Sequence, residues 1–406
     1  MFSVLKPESA AKMDFVIQFK SDGNGERRRV FSSGDEVVGE VVITTSEEVL
    51  ISDIDISFVG QSQTRADGPS IPVISTTKKE FLHLTQPIEE HLKTPTVFQA
   101  RRSYILPFNF IVPDRLLPGS CSCRSKASIS EQHLLLPPST GAQQSYEHEE
   151  RSLDDPTPDM AAVTYEIKVK VARGRRDGQE TLEHSSRRVC IVPDLPEMPP
   201  LFLDKTSEYR LRQEKTLSRG LLKGKSGCLV TETHQPRAIG SGLYNTGSLA
   251  PVNLTVRFDP ASQDDSPPLL ENLHTKIQAT TLFRTGPVVS SGQGEVSYVS
   301  ERSYSESIAL TSLRVAGTRW EKCSSERAHQ QLAAGQKVDA VAPSSEYKGG
   351  SYYLLKLPIP VQLPASKALV PTFDSCLVSR MYRLDLTLAV ASAASLTLRV
   401  PLQICR

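Results

Sequence analysis

The chain has 406 residues, more than one hydrophobic core usually fills, so two domains are expected, each large enough to fold without metals or disulfides. Lys and Arg number 47 against 46 Asp and Glu, a net charge of +1 that excludes a general field for nucleic acid or an acidic membrane and leaves only local patches for charge-driven partners. The longest apolar tract, near Leu388 to Leu398, is broken by serine and falls short of the ~18 uninterrupted apolar residues of a membrane helix, so a soluble protein is expected.

The seven cysteines, Cys121, Cys123, Cys190, Cys228, Cys323, Cys376 and Cys405, are odd in number and scattered, which argues against a disulfide framework and for a reducing compartment. The opening MFSVLKPESAAKMDF has no apolar core of secretory length, and no signal peptide is expected. Asn253-Leu254-Thr255 matches a glycosylation acceptor, but it lies inside an alternating strand pattern and reads as a chance match.

In chain order, the first strong element is VFSSGDEVVGEVVIT (Val30 to Thr44), where Ser32-Ser33-Gly34-Asp35 is turn chemistry and Val37, Val41 and Ile43 share one face. Gly39 sits on that face where a bulky residue is expected. In LISDIDISFVGQSQTR (Leu50 to Arg65), Ile54, Ile56 and Phe58 alternate with Asp53, Asp55 and Ser57, the period of two that gives a strand one apolar and one wet face. Further strands are read at Tyr104 to Pro113, Thr164 to Arg173, Val252 to Phe258, Tyr352 to Val361, Tyr382 to Val390 and Leu396 to Ile404. Many strands without intervening helices mean antiparallel sandwiches. The one helix candidate is Ser325 to Gly335, with Ser325 as its N-cap and Gly335 as its stop.

Three stretches read as insertions or linkers: about Cys123 to Pro158, Pro260 to Pro268, and Ala333 to Ser351. The first is expected to be a poorly ordered loop. VPDLPEMPP (Val192 to Pro200) carries four prolines in nine residues, which fix extended backbone, and the domain boundary is placed there. This gives an N-terminal domain over 12–192 with a loop insertion at about 124–158, a connector over 193–200, and a C-terminal domain over 201–406.

The order of these motifs resembles the arrestin-like family, in particular its fungal α-arrestin members. In the first half the matching segments are FSSGDEVVGEVVI with ISDIDISFVG, then LPFNFIVPDRLLPGSC, then TYEIKVKVAR; in the second they are SGCLVTETHQPRAIG, LVPTFDSCLVSRMYRLDLTLAV and LTLRVPLQI. The resemblance implies an all-β fold of two antiparallel immunoglobulin-like β-sandwich domains in tandem. It also implies an adaptor that binds cytoplasmic segments of membrane receptors or transporters and links them to endocytosis or ubiquitination, in the cytoplasm with recruitment to plasma membrane or endosomes. The alternatives are a cytosolic signalling scaffold that keeps the fold without the ubiquitin link, and an extracellular sandwich, which a glycan on Asn253 or a disulfide would support.

Enzyme chemistry is not expected. GLLKGKS (Gly220 to Ser226) fails as a phosphate loop because its glycines enclose three residues rather than four and no helix pattern follows. No nucleophile elbow or dinucleotide fingerprint lies in a supporting strand and helix context. Cys121-x-Cys123 has no second cysteine pair at ligand spacing, and with only His133 and His148 nearby no metal or other cofactor is expected.

The densest basic groups near one strand end are Lys168 and Lys170 on TYEIKVKV, followed by Arg173, Arg175 and Arg176. Side chains two apart share a strand face, so the two lysines present paired charge, and the resemblance implies a surface for phosphorylated tails or acidic lipid. A solvated strand face is the plainer alternative. Many α-arrestins carry Pro-Pro-x-Tyr segments that dock WW domains of HECT-type ubiquitin ligases, usually in a tail beyond the second domain. Here the pairs Pro137-Pro138, Pro199-Pro200 and Pro267-Pro268 place Thr140, Phe202 and Leu270 where Tyr is needed, and the chain stops at Arg406 directly after its last strand. Ligase recruitment is therefore expected to be indirect, through another adaptor.

Overall fold

The computed structural model describes residues 12–20, 30–67, 74–88, 96–121, 131–141, 147–148, 151–152, 154–174, 180–198, 208–219, 224–241, 250–285, 289–290, 296–297, 300–326, 341–391 and 394–406. It is built almost wholly of strands. The first eleven are β1 (Met13–Phe19), β2 (Val30–Phe31), β3 (Glu36–Thr45), β4 (Val49–Asp67), β5 (Ile74–Thr85), β6 (Thr96–Phe98), β7 (Ser103–Ile111), β8 (Glu147–His148), β9 (Arg151–Ser152), β10 (Ala161–Gly174) and β11 (Glu180–Ile191). The remainder are β12 (Arg212–Ser218), β13 (Lys225–Glu232), β14 (Ile239–Gly240), β15 (Ala250–Pro260), β16 (Leu270–Thr285), β17 (Val289–Ser290), β18 (Val296–Ser297), β19 (Ser300–Arg314), β20 (Glu321–Ser324), β21 (Ser351–Val361), β22 (Phe373–Asp374), β23 (Val378–Val390), β24 (Ala394–Leu402) and β25 (Ile404–Cys405).

The chain divides into two compact units. One takes in Met1–Leu195, Leu282–Ser303 and Phe373–Ser379; the other Pro196–Thr281, Tyr304–Thr372 and Arg380–Arg406. Neither is a single continuous stretch, and Leu195 falls within the proline-rich run.

In the first unit β1, β3 and β7 form one antiparallel sheet, and β2-β11-β10-β4-β5, with β6 on β4, form the other. The alternation read from the sequence sets their faces. Ile54, Ile56 and Phe58 of β4 and Val37, Val41 and Ile43 of β3 are all buried. Phe58 packs its ring 5.8 Å from that of Phe110 on β7 and 5.9 Å from that of Tyr165 on β10. Full burial of such a ring contributes about 1.5–3 kcal/mol. Gly39 has its explanation in this packing: a Cβ there would stand 2.2 Å from the Gln18 carbonyl oxygen and 2.5 Å from the Phe108 ring. Gly60 plays the same part beneath Phe81 and Tyr165, whose rings would lie 2.6 and 2.9 Å from an added Cβ.

The stretch expected as a poorly ordered loop is docked over 131–141 and 155–158. His133, Leu136, Ser139 and Thr140 are buried. The Tyr165 hydroxyl donates to the Pro137 carbonyl at 2.6 Å, Ser139 N–H donates to Ile191 O at 2.7 Å, and Ile191 N–H donates to Ser139 Oγ at 2.9 Å. Asp155 accepts from Gly141 N–H at 2.7 Å and from Thr157 N–H at 2.9 Å. Ser, Thr and Asp side chains here bond to backbone in place of a regular ladder, so the segment is ordered without showing a period.

In the second unit β12-β13-β15-β21-β20 form one sheet, and most of β16, β19 and β23, with β24 on β23, form another. Alternating residues such as Leu254, Val256, Leu384, Leu386 and Leu398 fill its core. The Tyr382 hydroxyl donates to Val370 O at 2.7 Å, tying β23 to the segment that precedes it. The second suspected linker is held by Asp265, whose carboxylate lies 2.6 Å from Arg219 Nη2. The described part of the third is held through Asp259, which accepts from Ser344 N–H at 2.7 Å. Of the helix candidate, Ser325 and Glu326 are helical and the rest lies outside the described residues.

Candidate functional site

Two places in the first unit bring chemically active side chains together. The first is the outer face of β10. Its inward residues Tyr165, Ile167, Val169 and Val171 are fully buried, which turns Lys168 and Lys170 outward by the strand period. In register, Lys168 lies between Ser57 of β4 and Ser186 of β11, and Lys170 between Asp55 and His184. Lys168 Nζ stands 3.9 Å from Glu166 Oε2, and Lys170 is exposed. Arg173 is drawn to Glu183 at 3.0 Å, while Arg175 and Arg176 lie outside the described residues. The two lysines thus share a face as expected, in a surface of mixed rather than uniform charge.

The second place was not legible as a site. Cys121 follows the 3-10 turn Pro118–Ser120, His133 lies in the docked segment, and Asp374 and Cys376 sit at the end of β22 and in the turn after it. Sγ of Cys121 is 3.6 Å from His133 Nδ1; Sγ of Cys376 is 3.6 Å from Cys121 Sγ and 3.9 Å from the same Nδ1. The opposite ring nitrogen, Nε2, is buried and lies 3.4 Å from Asp374 Oδ2, an ion-pair separation without the alignment of a hydrogen bond. Asp374 is fixed by Ser379, whose hydroxyl donates to Oδ1, and by Arg284 at 3.7 Å; Lys79 Nζ is 3.2 Å from Cys376 Sγ.

The electrostatics of this cluster favour positive charge at its centre. Burial works against a charged His133, but Asp374 and the sulfurs of Cys376 and Cys121 outweigh it and push the imidazole up to about 10. For Asp374 burial acts in the upward direction, and His133, Ser379 and Arg284 together hold the carboxyl below its ordinary range. Cys121, His133 and Cys376 offer three metal-ligating atoms within 4.8 Å of one another. The sequence pointed to two of the three and set them aside on spacing. Cys123 lies outside the described residues, nothing near Cys121 marked Cys376 as a neighbour, and only the folded chain joins them.

The described residues therefore present a sheet-on-sheet sandwich with a charged outer strand face. Residues 17–194 match the family model described as Arrestin (or S-antigen), N-terminal domain. Over these residues the chain is similar to the arrestin N-terminal domain. No curated protein is significantly similar to it.

Proposed function

We propose that this chain is a non-enzymatic adaptor that binds cytoplasmic segments of membrane receptors or transporters and links them to endocytosis or ubiquitination. The observation that carries the reading is the match of residues 17–194 to the arrestin N-terminal domain. Among the described residues no helix is long and apolar enough to cross a membrane, which fits contact with cargo from one side of a bilayer. Lys168 and Lys170 are assigned to the recognition surface for phosphorylated tails or acidic headgroups. Their outward placement and spacing support that role, and charge-assisted contact with a phosphate is the chemistry they supply. No proline pair of the sequence offers a tyrosine at the offset a WW groove needs, so the ligase link runs through a second adaptor.

Affinity purification of the full chain from detergent-solubilised cells tests the reading. Membrane receptors or transporters should co-purify, together with a HECT-type ligase that is lost when bridging adaptors are depleted. Recovery of kinases or other soluble signalling proteins without membrane cargo would instead establish a signalling scaffold. Isolated WW domains titrated with the purified chain should show no saturable binding in the micromolar range, about −8 kcal/mol.

A further inference from the structure

We propose that Cys121, His133 and Cys376 form a zinc site within the first unit. Tetrahedral zinc holds thiolate sulfur at about 2.3 Å and imidazole nitrogen at about 2.0–2.1 Å, which sets ligand edges of about 3.8 Å between sulfurs and about 3.5 Å from sulfur to nitrogen. The observed edges are 3.6 Å between the sulfurs and 3.6 and 3.9 Å from the sulfurs to Nδ1. One face of the coordination tetrahedron is therefore already formed.

The surroundings suit a metal rather than a packed core. Nδ1 of the buried His133 faces both sulfurs and Nε2 faces Asp374, so an ion that displaces the Nδ1 proton leaves the remaining ring proton on Nε2, directed at the carboxylate. A carboxylate behind a ligating histidine is the usual support of a zinc site, since it fixes the ring and its tautomer. Asp374 is itself held by Ser379 and Arg284. Lys79 donates toward Cys376 Sγ at 3.2 Å, a cation beside a metal-bound sulfur. Two thiolates neutralise the ion's two positive charges, so the buried site carries no excess charge. A small cavity lined by Ser62, Lys79, Phe81, Ser120, His133 and Cys376 adjoins the cluster.

Two other uses of these atoms fit less well. A thiol nucleophile requires one sulfur paired with one imidazole nitrogen, whereas here two sulfurs converge on the same Nδ1. A disulfide requires sulfurs at about 2.05 Å, and these stand 3.6 Å apart. An ion at this point ties together chain segments separated by 243 and 255 residues. That separation is why cysteine spacing gave no sign of it.

The test uses the full chain, purified under reducing conditions, stripped of metal and titrated with cobalt(II) as a spectroscopic probe. One equivalent should produce thiolate-to-cobalt charge-transfer absorption and intense tetrahedral ligand-field bands, both bleached by one equivalent of zinc. Cys121→Ser, Cys376→Ser and His133→Gln should each abolish the charge-transfer signal at one equivalent or leave a spectrum with one fewer of that residue's ligand type. Cys190→Ser and Cys323→Ser should titrate as the parent chain does. Asp374→Asn keeps every ligand and its fold is checked by circular dichroism; it should weaken zinc affinity by about ten- to a hundredfold. It decides the matter even where a ligand variant fails to fold. Absence of the charge-transfer band in the reduced parent chain, an unchanged spectrum in Cys376→Ser, or unchanged affinity in Asp374→Asn would overturn the proposal. So would a Cys121–Cys376 disulfide in the freshly purified protein.

Discussion

The outer face of β10 and the cluster around His133 lie in the same unit and were built by opposite rules. Lys168 and Lys170 are two residues apart on one strand, so their shared face follows from the period of the backbone alone. Cys121, His133 and the Asp374–Cys376 turn share no period; they meet because three separate segments fold over one another. The lysine face is open to solvent and its charges are interspersed with Glu166 and Asp55, so single substitutions there should be mild. In the cluster around His133 the side chains bear directly on one another, so its members should not be replaceable independently. Local pattern predicts surfaces, and tertiary convergence makes interior sites.

Four variants sharpen that contrast. The largest effect is expected for Phe58→Asp, which buries a carboxylate among Phe110 and Tyr165 at a cost of several kcal/mol. Insoluble or unfolded protein should result; a soluble chain with the parent's thermal melt would mean that the face of β4 has been assigned backwards.

Next comes Arg257→Ala, which tests another buried polar assembly, this time in the second unit. Arg257 Nε donates to Asp259 Oδ1 at 2.7 Å, its Nη1 donates to Val341 O at 3.0 Å, and its guanidinium lies 3.9 Å from the centre of the Tyr352 ring. Removing it strands a buried carboxylate, and chemical denaturation should show a loss of about 3–5 kcal/mol. A change below 1 kcal/mol would show that such clusters are dispensable, against the contrast drawn above.

Tyr165→Phe should cost about 1–3 kcal/mol, because the buried Pro137 carbonyl loses its donor. Limited proteolysis within 131–141 should accelerate in parallel. An unchanged cleavage rate would mean that the docked segment is held by other bonds.

The smallest effect on stability belongs to the Lys168→Ala, Lys170→Ala double variant, expected to stay within about 0.5 kcal/mol of the parent. Its effect should appear in binding, as weakened adsorption to acidic liposomes that declines further as salt rises, with screening over about 8 Å at physiological ionic strength. Liposome binding equal to the parent's would move the recognition surface elsewhere.

Much of the fold was legible because strand alternation is a local property. Ile54, Ile56 and Phe58 declared their face, and even the odd Gly39 proved to be a contact with Phe108 seen from the sequence side. The docked stretch around Ser139 and Thr140 was not legible, since its order comes from side-chain bonds to β11 and from Tyr165 rather than from a repeat. For the candidate site, Cys121 and His133 were noticed and dismissed because metal spacing is usually sought within one short motif. Cys376 carried no signal at all. No pattern in one chain announces a contact across 255 residues.

Proximity labelling in the native cell, comparing the parent chain with the Lys168→Ala, Lys170→Ala variant, tests the adaptor reading most directly. Membrane receptors or transporters with cytoplasmic tails should dominate the labelled neighbours of the parent chain and fall sharply for the variant at equal expression. Neighbours that are soluble proteins alone, or membrane neighbours that the double substitution leaves unchanged, would contradict the account.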